Sequence, residues 1–560
     1  VTEARYWTYQ DMTEALQDWQ RAYPDIFSFT SIGKSRRGRD LWAVTLCADI
    51  EHADRYPGLL VDANIHAGEV AGNAVAMHWI ATLLEGFGNA PAIQQLLQTR
   101  AVYVVPRIAV DGAEEYLTTP ARLRSSPHDY PLSEPPAGWV PSDVDGNGHI
   151  LQMRVPSPDG AYAIDEHDPR LMRSRRPGEF GQRYYHVFTE GRVHPPTYHG
   201  KDLEGSRLDL SVRQGMDFNR NFPIRWATED IQNGAGPFPL SEPEIYALAK
   251  FIEVHPNIAA YVALHTSGGV ILRQPSTGDD SAIPTLDAVL YRRMGEEGAR
   301  VSGYFSRSNY ETFHNGYDPV LMPGAADDWM YDHQGVLGFT VEIWDLPRHA
   351  GARGYAEYGV KGLMKLSEEE RQEDLRKILH FVEDKVPTQG FFPWMPFHHP
   401  DLGMVEIGGL DPKFVVQNPP LCFLEEECER VGRFLTTLGL STAQLQVGPI
   451  TSERIGDNVY RIAAMVKNQG FLPTSSTKRG GEMKRVMGVK AELAGNFEMI
   501  AGESPCQLGH LAGYGEITSA MPPGKNRKVA EWVVRAQPGT HLTLTFSAPR
   551  AGTVQELIVL

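Results

Sequence analysis

The sequence predicts an α/β fold, with a mixed and mostly parallel sheet flanked by helices, followed by an all-β sandwich domain. Three observations predict it. Short apolar runs alternate with helical patterns over the first part of the chain, as in a sheet covered by helices. Two of those runs, 58–65 and 258–264, are largely apolar and deliver His66 and His265 at their ends, where open α/β sheets place their ligands. Beyond about residue 401, strand-like runs such as 458–466 and 541–547 are separated by turns rich in Gly and Pro, the pattern of a β-sandwich.

Taken in order, residues 11–22 read as a helix, and 27–32 with 40–47 as a hairpin around Ser35-Arg36-Arg37-Gly38. Residues 69–84 place Met77, Ile80 and Leu84 on one helical face, and 101–105 read as a buried strand. The stretch 111–217 is rich in Pro, Gly and Arg with little periodicity. So long an irregular segment predicts a functional insertion, at about 113–215. Ser241-Glu242-Pro243-Glu244 reads as a capping box ahead of the stripe Ile245, Leu248, Ala249 and Ile252. Residues 338–344 form a strand with Glu342 inside an apolar run, 367–385 a helix, and the aromatic, Pro-rich tract 391–400 a domain junction. This divides the chain into a first, α/β domain, 1–390, with the insertion at about 113–215, and an accessory β domain, 401–560.

At 560 residues the chain exceeds what one core supports, and its 42% apolar and 22% charged residues are those of a globular protein. A net charge of −17 argues against nucleic acid as a partner. No apolar run reaches membrane-spanning length. Residues 1–5 lack a signal-peptide core, so a start after a lost leader is expected, with a secreted or periplasmic location. The four cysteines, Cys47, Cys422, Cys428 and Cys506, are too few for a disulfide scaffold. Cys422 and Cys428 either pair with each other or with Cys506, or are buried thiols.

His66-Ala67-Gly68-Glu69 and His265 offer two imidazoles and a carboxylate, the set that holds a catalytic zinc with one position open. In Asp217-Phe218-Asn219-Arg220-Asn221 an Arg between two Asn suits a planar carboxylate. A buried Glu342 is costly unless it has a partner or a task, which makes it a candidate general base. Asp143-Val144-Asp145-Gly146-Asn147 resembles half of a calcium loop, with Asp143, Asp145 and Asn147 as ligands, but Arg154 stands where the closing Glu belongs. Gly33-Lys34-Ser35 is not a phosphate loop, because Ser28 stands where that loop needs Gly.

The order His66-x-x-Glu69, Asn219-Arg220, His265, Glu342, with the opening Ser31-Ile32-Gly33-Lys34-Ser35, resembles the zinc metallocarboxypeptidases of the carboxypeptidase A/B type over roughly residues 5 to 390. The resemblance implies that His66, Glu69 and His265 bind zinc and that Glu342 is the general base. It implies that Asn219 and Arg220 grip the free C-terminal carboxylate of a peptide substrate and that Asp217 orients a ligand imidazole. It also implies an oxyanion-stabilising Arg before Asp217, for which Arg154 is chosen over Arg173, Arg175 and Arg176. Asp327 would line the pocket for the last side chain and suit Lys or Arg. Departures are Gly68, where many members carry an Arg, Ala109-Val110 ahead of Asp111-Gly112, and the mobile Tyr, for which spacing offers Val320 or Tyr317. The alternatives are a zinc amidase acting on cell-wall peptides or N-acyl amino acids, and a binding protein on the same fold, which would show a broken ligand set.

Overall fold

The computed structural model describes residues 3–128, 130, 138–194, 215–316, 322–386, 389–516 and 524–560. Its centre is an eight-stranded mixed sheet. The strands run in the spatial order Phe27–Lys34, Asp40–Leu46, Ala101–Val105, Gly58–Ala63, Ile258–Thr266, Leu337–Ile343, Val270–Arg273, Phe305–Ser308. The four strands from Ala101–Val105 to Leu337–Ile343 are parallel. Strands Gly58–Ala63 and Ile258–Thr266 are buried along their whole length, which is why both read as apolar runs rather than alternating ones.

Helix Val70–Gly86 is buried on nearly every side because it lies between this sheet and helix Leu421–Ser441. Its Gly72 sits against the carbonyl of Leu264, where a Cβ would approach the oxygen to 2.8 Å. Any larger residue there would push the helix away from the strand that carries His265.

One buried acid in the sheet yields a stability prediction. Asp62 accepts a 2.7 Å hydrogen bond from the Tyr261 hydroxyl, and burial pushes its carboxyl up to about 7. The folded state therefore keeps a proton that the unfolded chain has lost. The associated stability is fully present below the ordinary aspartate range and is lost as pH rises to about 7. Denaturant titrations between pH 4 and pH 8 are expected to show a steeper decline for the wild type than for Asp62→Asn.

Several sequence expectations are corrected. The irregular insertion contains strands Gln152–Pro156, Tyr162–Ile164, Met172–Ser174 and Tyr185–Thr189, which join Phe391–His399 and Gly403–Leu410 in a six-stranded sheet. The tract 391–400 is thus an edge strand, and its prolines suit a position where backbone donors are not needed. Helix Leu421–Ser441 packs its Leu424, Val431, Phe434 and Leu438 into the core of the first domain. The β domain therefore begins near Leu445 rather than at 401, because residues 401–443 complete the first body. No capping box opens helix Pro243–Glu253: Glu242 makes no side-chain cap and is instead held by Arg36, at 3.0 and 2.8 Å. All four cysteines are free thiols.

From Leu445 two four-stranded antiparallel sheets face each other. Ile462, Val466, Trp532 and Val534 of one meet Val489, Leu493, Leu544 and Phe546 of the other. The alternating burial of Val489–Gly495 and His541–Ala548 is the period of strands with one face inward. This sandwich is fastened to the central sheet. The Ser476 hydroxyl donates to Ala259 O at 2.6 Å and accepts from Leu337 N at 2.9 Å. It thereby ties the starts of the two strands that end in His265 and Glu342.

Candidate active site

After strand Gly58–Ala63 the backbone turns at Asn64, which adopts φ 57°, a left-handed conformation that Asn tolerates better than most residues. The Asn64 amide donates to His66 O at 2.6 Å and fixes the turn that carries His66. Glu69 follows just before helix Val70–Gly86. His265 stands opposite Glu342 on the neighbouring parallel strand. Three strand ends thus converge on one cavity of about 330 Å³, bordered by His66, Glu69, Arg124, Asn219, Arg220, His265, Asp327, Glu342 and Tyr355.

Within it, His66 Nδ1 lies 2.7 Å from Glu69 Oε1, and His265 Nδ1 lies 2.9 Å from Glu69 Oε2. The other nitrogen of His66 lies 3.1 Å from Asp217 Oδ1. A neutral imidazole has one N–H. Both nitrogens of His66 nevertheless face carboxylate oxygens, so one of these contacts sets lone pair against lone pair unless a proton or another cation lies between them. With Asp217 holding Nε2–H, the open face is Nδ1, and it points where the Nδ1 of His265 also points. One donor atom from each of His66, Glu69 and His265 lies within 4.8 Å of the others, and all three residues are buried. Two nitrogens and a carboxylate with a hydrogen-bonded imidazole fit a zinc ion.

The electrostatics agree with this chemistry. Burial would raise the Glu69 carboxyl, but His66 and His265 hold it well below the usual carboxylate range. Burial would likewise raise Asp217, but Arg124, His66 and Arg220 bring it down. Glu342 is the exception: burial pushes it up to about 8, and His265 offsets this only in part. Its Oε2 is buried without a hydrogen-bond partner among the described residues.

Asp217 organises the other side of the cavity. It caps the turn Phe218–Arg220 by accepting from Asn219 N at 2.9 Å, while holding His66 and accepting from Arg124 Nε at 3.0 Å. Asn219 Oδ1 accepts from Ala326 N at 2.8 Å, which fixes the side chain at the cavity border. Arg220 donates to Asn219 O at 2.7 Å, and its Nε has no partner among the described residues. Asp327 is buried, with one oxygen 2.8 Å from Asn309 Nδ2. Asp328 faces away, toward Arg225, Gln274 and Ser276.

Arg154 is not in this cavity, which corrects its place as the oxyanion residue. It lies in the insertion sheet, 2.7 Å from Glu406, with its guanidinium over the Trp394 ring. Arg173 is taken up by Glu179, and Arg175 by the Glu179 and Pro158 carbonyls. The guanidinium beside the candidate ligand set is that of Arg124, which contacts Asp217 and reaches Glu69 at 3.4 Å. Only its position in the chain, before Asp217, could have marked it. Tyr355 was also missed; its hydroxyl donates to Ser267 O in space left by Gly268, where a Cβ would come within 1.9 Å of the phenol oxygen.

The calcium expectation at Asp143, Asp145 and Asn147 is not supported. Asp143 accepts from the backbone of Gly146, Asn147 and Gly148, and Asp145 from Asn147, so these oxygens close a turn. Tyr317 and Val320, the two positions considered for a mobile Tyr, lie outside the described residues. No helix among the described residues is long and apolar enough to cross a membrane.

The chain is 27% identical over 114 residues to a zinc carboxypeptidase of Saccharothrix mutabilis subsp. capreolus, covering 20% of this chain and 26% of that protein. It is 21% identical over 343 residues to human carboxypeptidase A6, covering 59% of each. The chain thus spans from about a quarter to three-fifths of the length of these relatives. Among solved structures it is similar to carboxypeptidase A from Helicoverpa armigera, at 15% identity and a TM-score of 0.39, covering 69% of this chain and 75% of the other. Residues 444–559 match a domain of unknown function (DUF8731). Residues 12–145 and 150–357, more than half of the chain and every residue of the cavity, match the zinc carboxypeptidase family (Peptidase_M14), to which this chain belongs.

Proposed function

We propose that the protein is a zinc-dependent exopeptidase that removes the C-terminal amino acid from peptides. The observation that carries this reading is the convergence of the His66, Glu69 and His265 donor atoms, the Glu342 carboxyl, whose Oε2 has no partner among the described residues, and the Asn219–Arg220 turn on one cavity. His66, Glu69 and His265 would hold a zinc ion, which when bound would supply Lewis acidity at the scissile carbonyl and make the attacking water easier to deprotonate. Glu342 takes the proton of that water and returns it to the departing amine. Its buried setting keeps its affinity for the proton high enough to do both. Arg124, fixed by Asp217 and Glu69, donates to the oxygen that becomes negative as the carbonyl carbon turns tetrahedral. Asn219 and Arg220 hold the terminal carboxylate, and Tyr355 offers a phenol oxygen to the substrate backbone.

Asp327 reads the last side chain. Its carboxylate is buried in the cavity, and among the described residues its one hydrogen bond comes from a neutral amide, so Lys or Arg would complete it. Peptides ending in Lys or Arg are expected to be cleaved with higher kcat/KM than those ending in Leu or Phe. Asp327→Asn should lower the value for the basic peptides by about 10²-fold, the range for losing one partner of a buried charge pair. A preference for Leu or Phe that Asp327→Asn leaves unchanged would remove Asp327 from this role.

One observation favours a second reading, an amidase for N-acyl amino acids or cell-wall peptides. At Gly68 a Cβ would lie 2.8 Å from the Gln417 side chain and 3.0 Å from Tyr116, and Asn418 donates to Gly68 O at 2.8 Å. A side chain at this position therefore cannot reach an extended peptide. Comparing an N-acyl amino acid with hexapeptides that share its last residue separates the two readings: the exopeptidase predicts faster release from the hexapeptides, the amidase from the acyl compound.

A further inference from the structure

Behind the cavity, along the seam between the two domains, lies a larger cleft of about 890 Å³. Helices Pro243–Glu253 and Ala326–Asp332 form two walls, and residues 483–485 of the β domain form the third. The lining is apolar at Pro223, Leu240, Tyr246 and Trp329, with Trp329 buried at the base and Tyr246 55% exposed at the side. A volume in the range of several hundred Å³, mostly apolar with a few polar groups, is that of a small-molecule site.

The charges around the cleft do not balance. Both of its carboxylates are already committed. Glu253 accepts from Gln334 Nε2 at 2.7 Å and from Arg485 at 3.3 Å; Asp332 accepts from Arg225 at 3.0 Å and has Arg479 at 3.8 Å. Lys250, from the first domain, and Lys484, from the second, line the same cleft and have no ion pair or hydrogen bond among the described residues. On a chain with a net charge of −17 this is a local reversal of sign, and an anion would meet cations from both domains.

We propose that the seam is a second binding site for a small amphipathic anion, an aromatic carboxylate or sulfonate whose flat body lies over Trp329 and Tyr246 and whose charge sits between Lys250 and Lys484. The β domain then has a role in recognition, since Lys484 and Arg485 form one wall. The site is distinct from the substrate cavity. Trp329 follows Asp327 by two residues on one helix, about 200° around its axis at 3.6 residues per turn, so one helix presents the two residues to opposite cavities.

Titration of the full chain with 8-anilinonaphthalene-1-sulfonate at low ionic strength, with 2-naphthoate as competitor, tests this. The wild type is expected to bind the fluorophore saturably and release it to 2-naphthoate. Lys250→Glu with Lys484→Glu should weaken binding about tenfold, the size expected from reversing two exposed charges. These side chains are exposed, so the fold should be untouched, which circular dichroism checks. Arg220→Ala, in the other cavity, should bind as the wild type does. Absence of saturable binding, equal affinity in the double variant, or loss of binding in Arg220→Ala would each overturn the proposal. Because the readout is binding, it does not depend on the peptidase reading.

Discussion

Glu342→Gln is expected to lower kcat by about 10²- to 10⁴-fold, the contribution of a positioned general acid–base, with bound zinc and the melting temperature retained. The substitution keeps the shape and removes the proton acceptor. It should not unfold the protein, because the carboxyl is held against its own preference: burial pushes it up to about 8 and one oxygen has no partner among the described residues. A neutral amide costs less to bury than a carboxylate. The base must be ionised to accept a proton, so activity should fall on the acid side as Glu342 takes up its own. The residual activity of Glu342→Gln should lose that limb. If Glu342→Gln retained wild-type kcat while binding zinc, the base would have to be another group.

The second large effect is expected far from the cavity. Arg550→Ala should destabilise the protein by about 3–5 kcal/mol, the range for removing one side of a buried charged hydrogen-bond network. The guanidinium is fully buried and donates to Gly335 O and Ser475 O at 3.0 Å and to Gln334 O at 2.6 Å. Its loss leaves Ser475 O and Gln334 O without a donor among the described residues, leaves Gly335 O with the Thr477 hydroxyl alone, and opens a void at the seam. Arg550→Lys should recover little, because a single ammonium cannot reproduce the fork. Gln334 and Gly335 immediately precede the strand of Glu342, whose start is also tied by Ser476. The β domain therefore braces the sheet, and a chain ending at 443 should be insoluble or unfold at much lower denaturant. Full stability of Arg550→Ala in denaturant titrations would show that the seam carries none of this load.

The parts of the fold legible in the sequence are those decided locally. Strands 58–63, 258–266 and 337–343 are buried on both faces and so announce themselves as apolar runs, and the polar residues at their ends, His66, His265 and Glu342, stand out against them. Long-range pairing left no such trace. Gln152–Pro156 finds its partner in Gly403–Leu410, some 250 residues away, and nothing in either segment names the other. Helix Leu421–Ser441 carries a helical apolar stripe, Leu424, Cys428, Val431, Leu435 and Leu438, yet it follows a junction-like tract and so fell on the wrong side of the expected boundary. Arg124 shows the same limit at the site: it lies in an irregular segment, and only the folded position of Asp217 and Glu69 distinguishes it from Arg154.

The central claim is that one cavity holds a catalytic zinc and grips a free C-terminus. The most direct measurement follows amino acid release from matched peptides ending in a free carboxylate or a carboxamide, before and after treatment with a chelator and re-addition of zinc. The account predicts single-residue release from the free-carboxylate peptide only, lost on chelation and regained with about one zinc per chain. Equal release from the carboxamide peptide, or release that persists in metal-free protein, would contradict it.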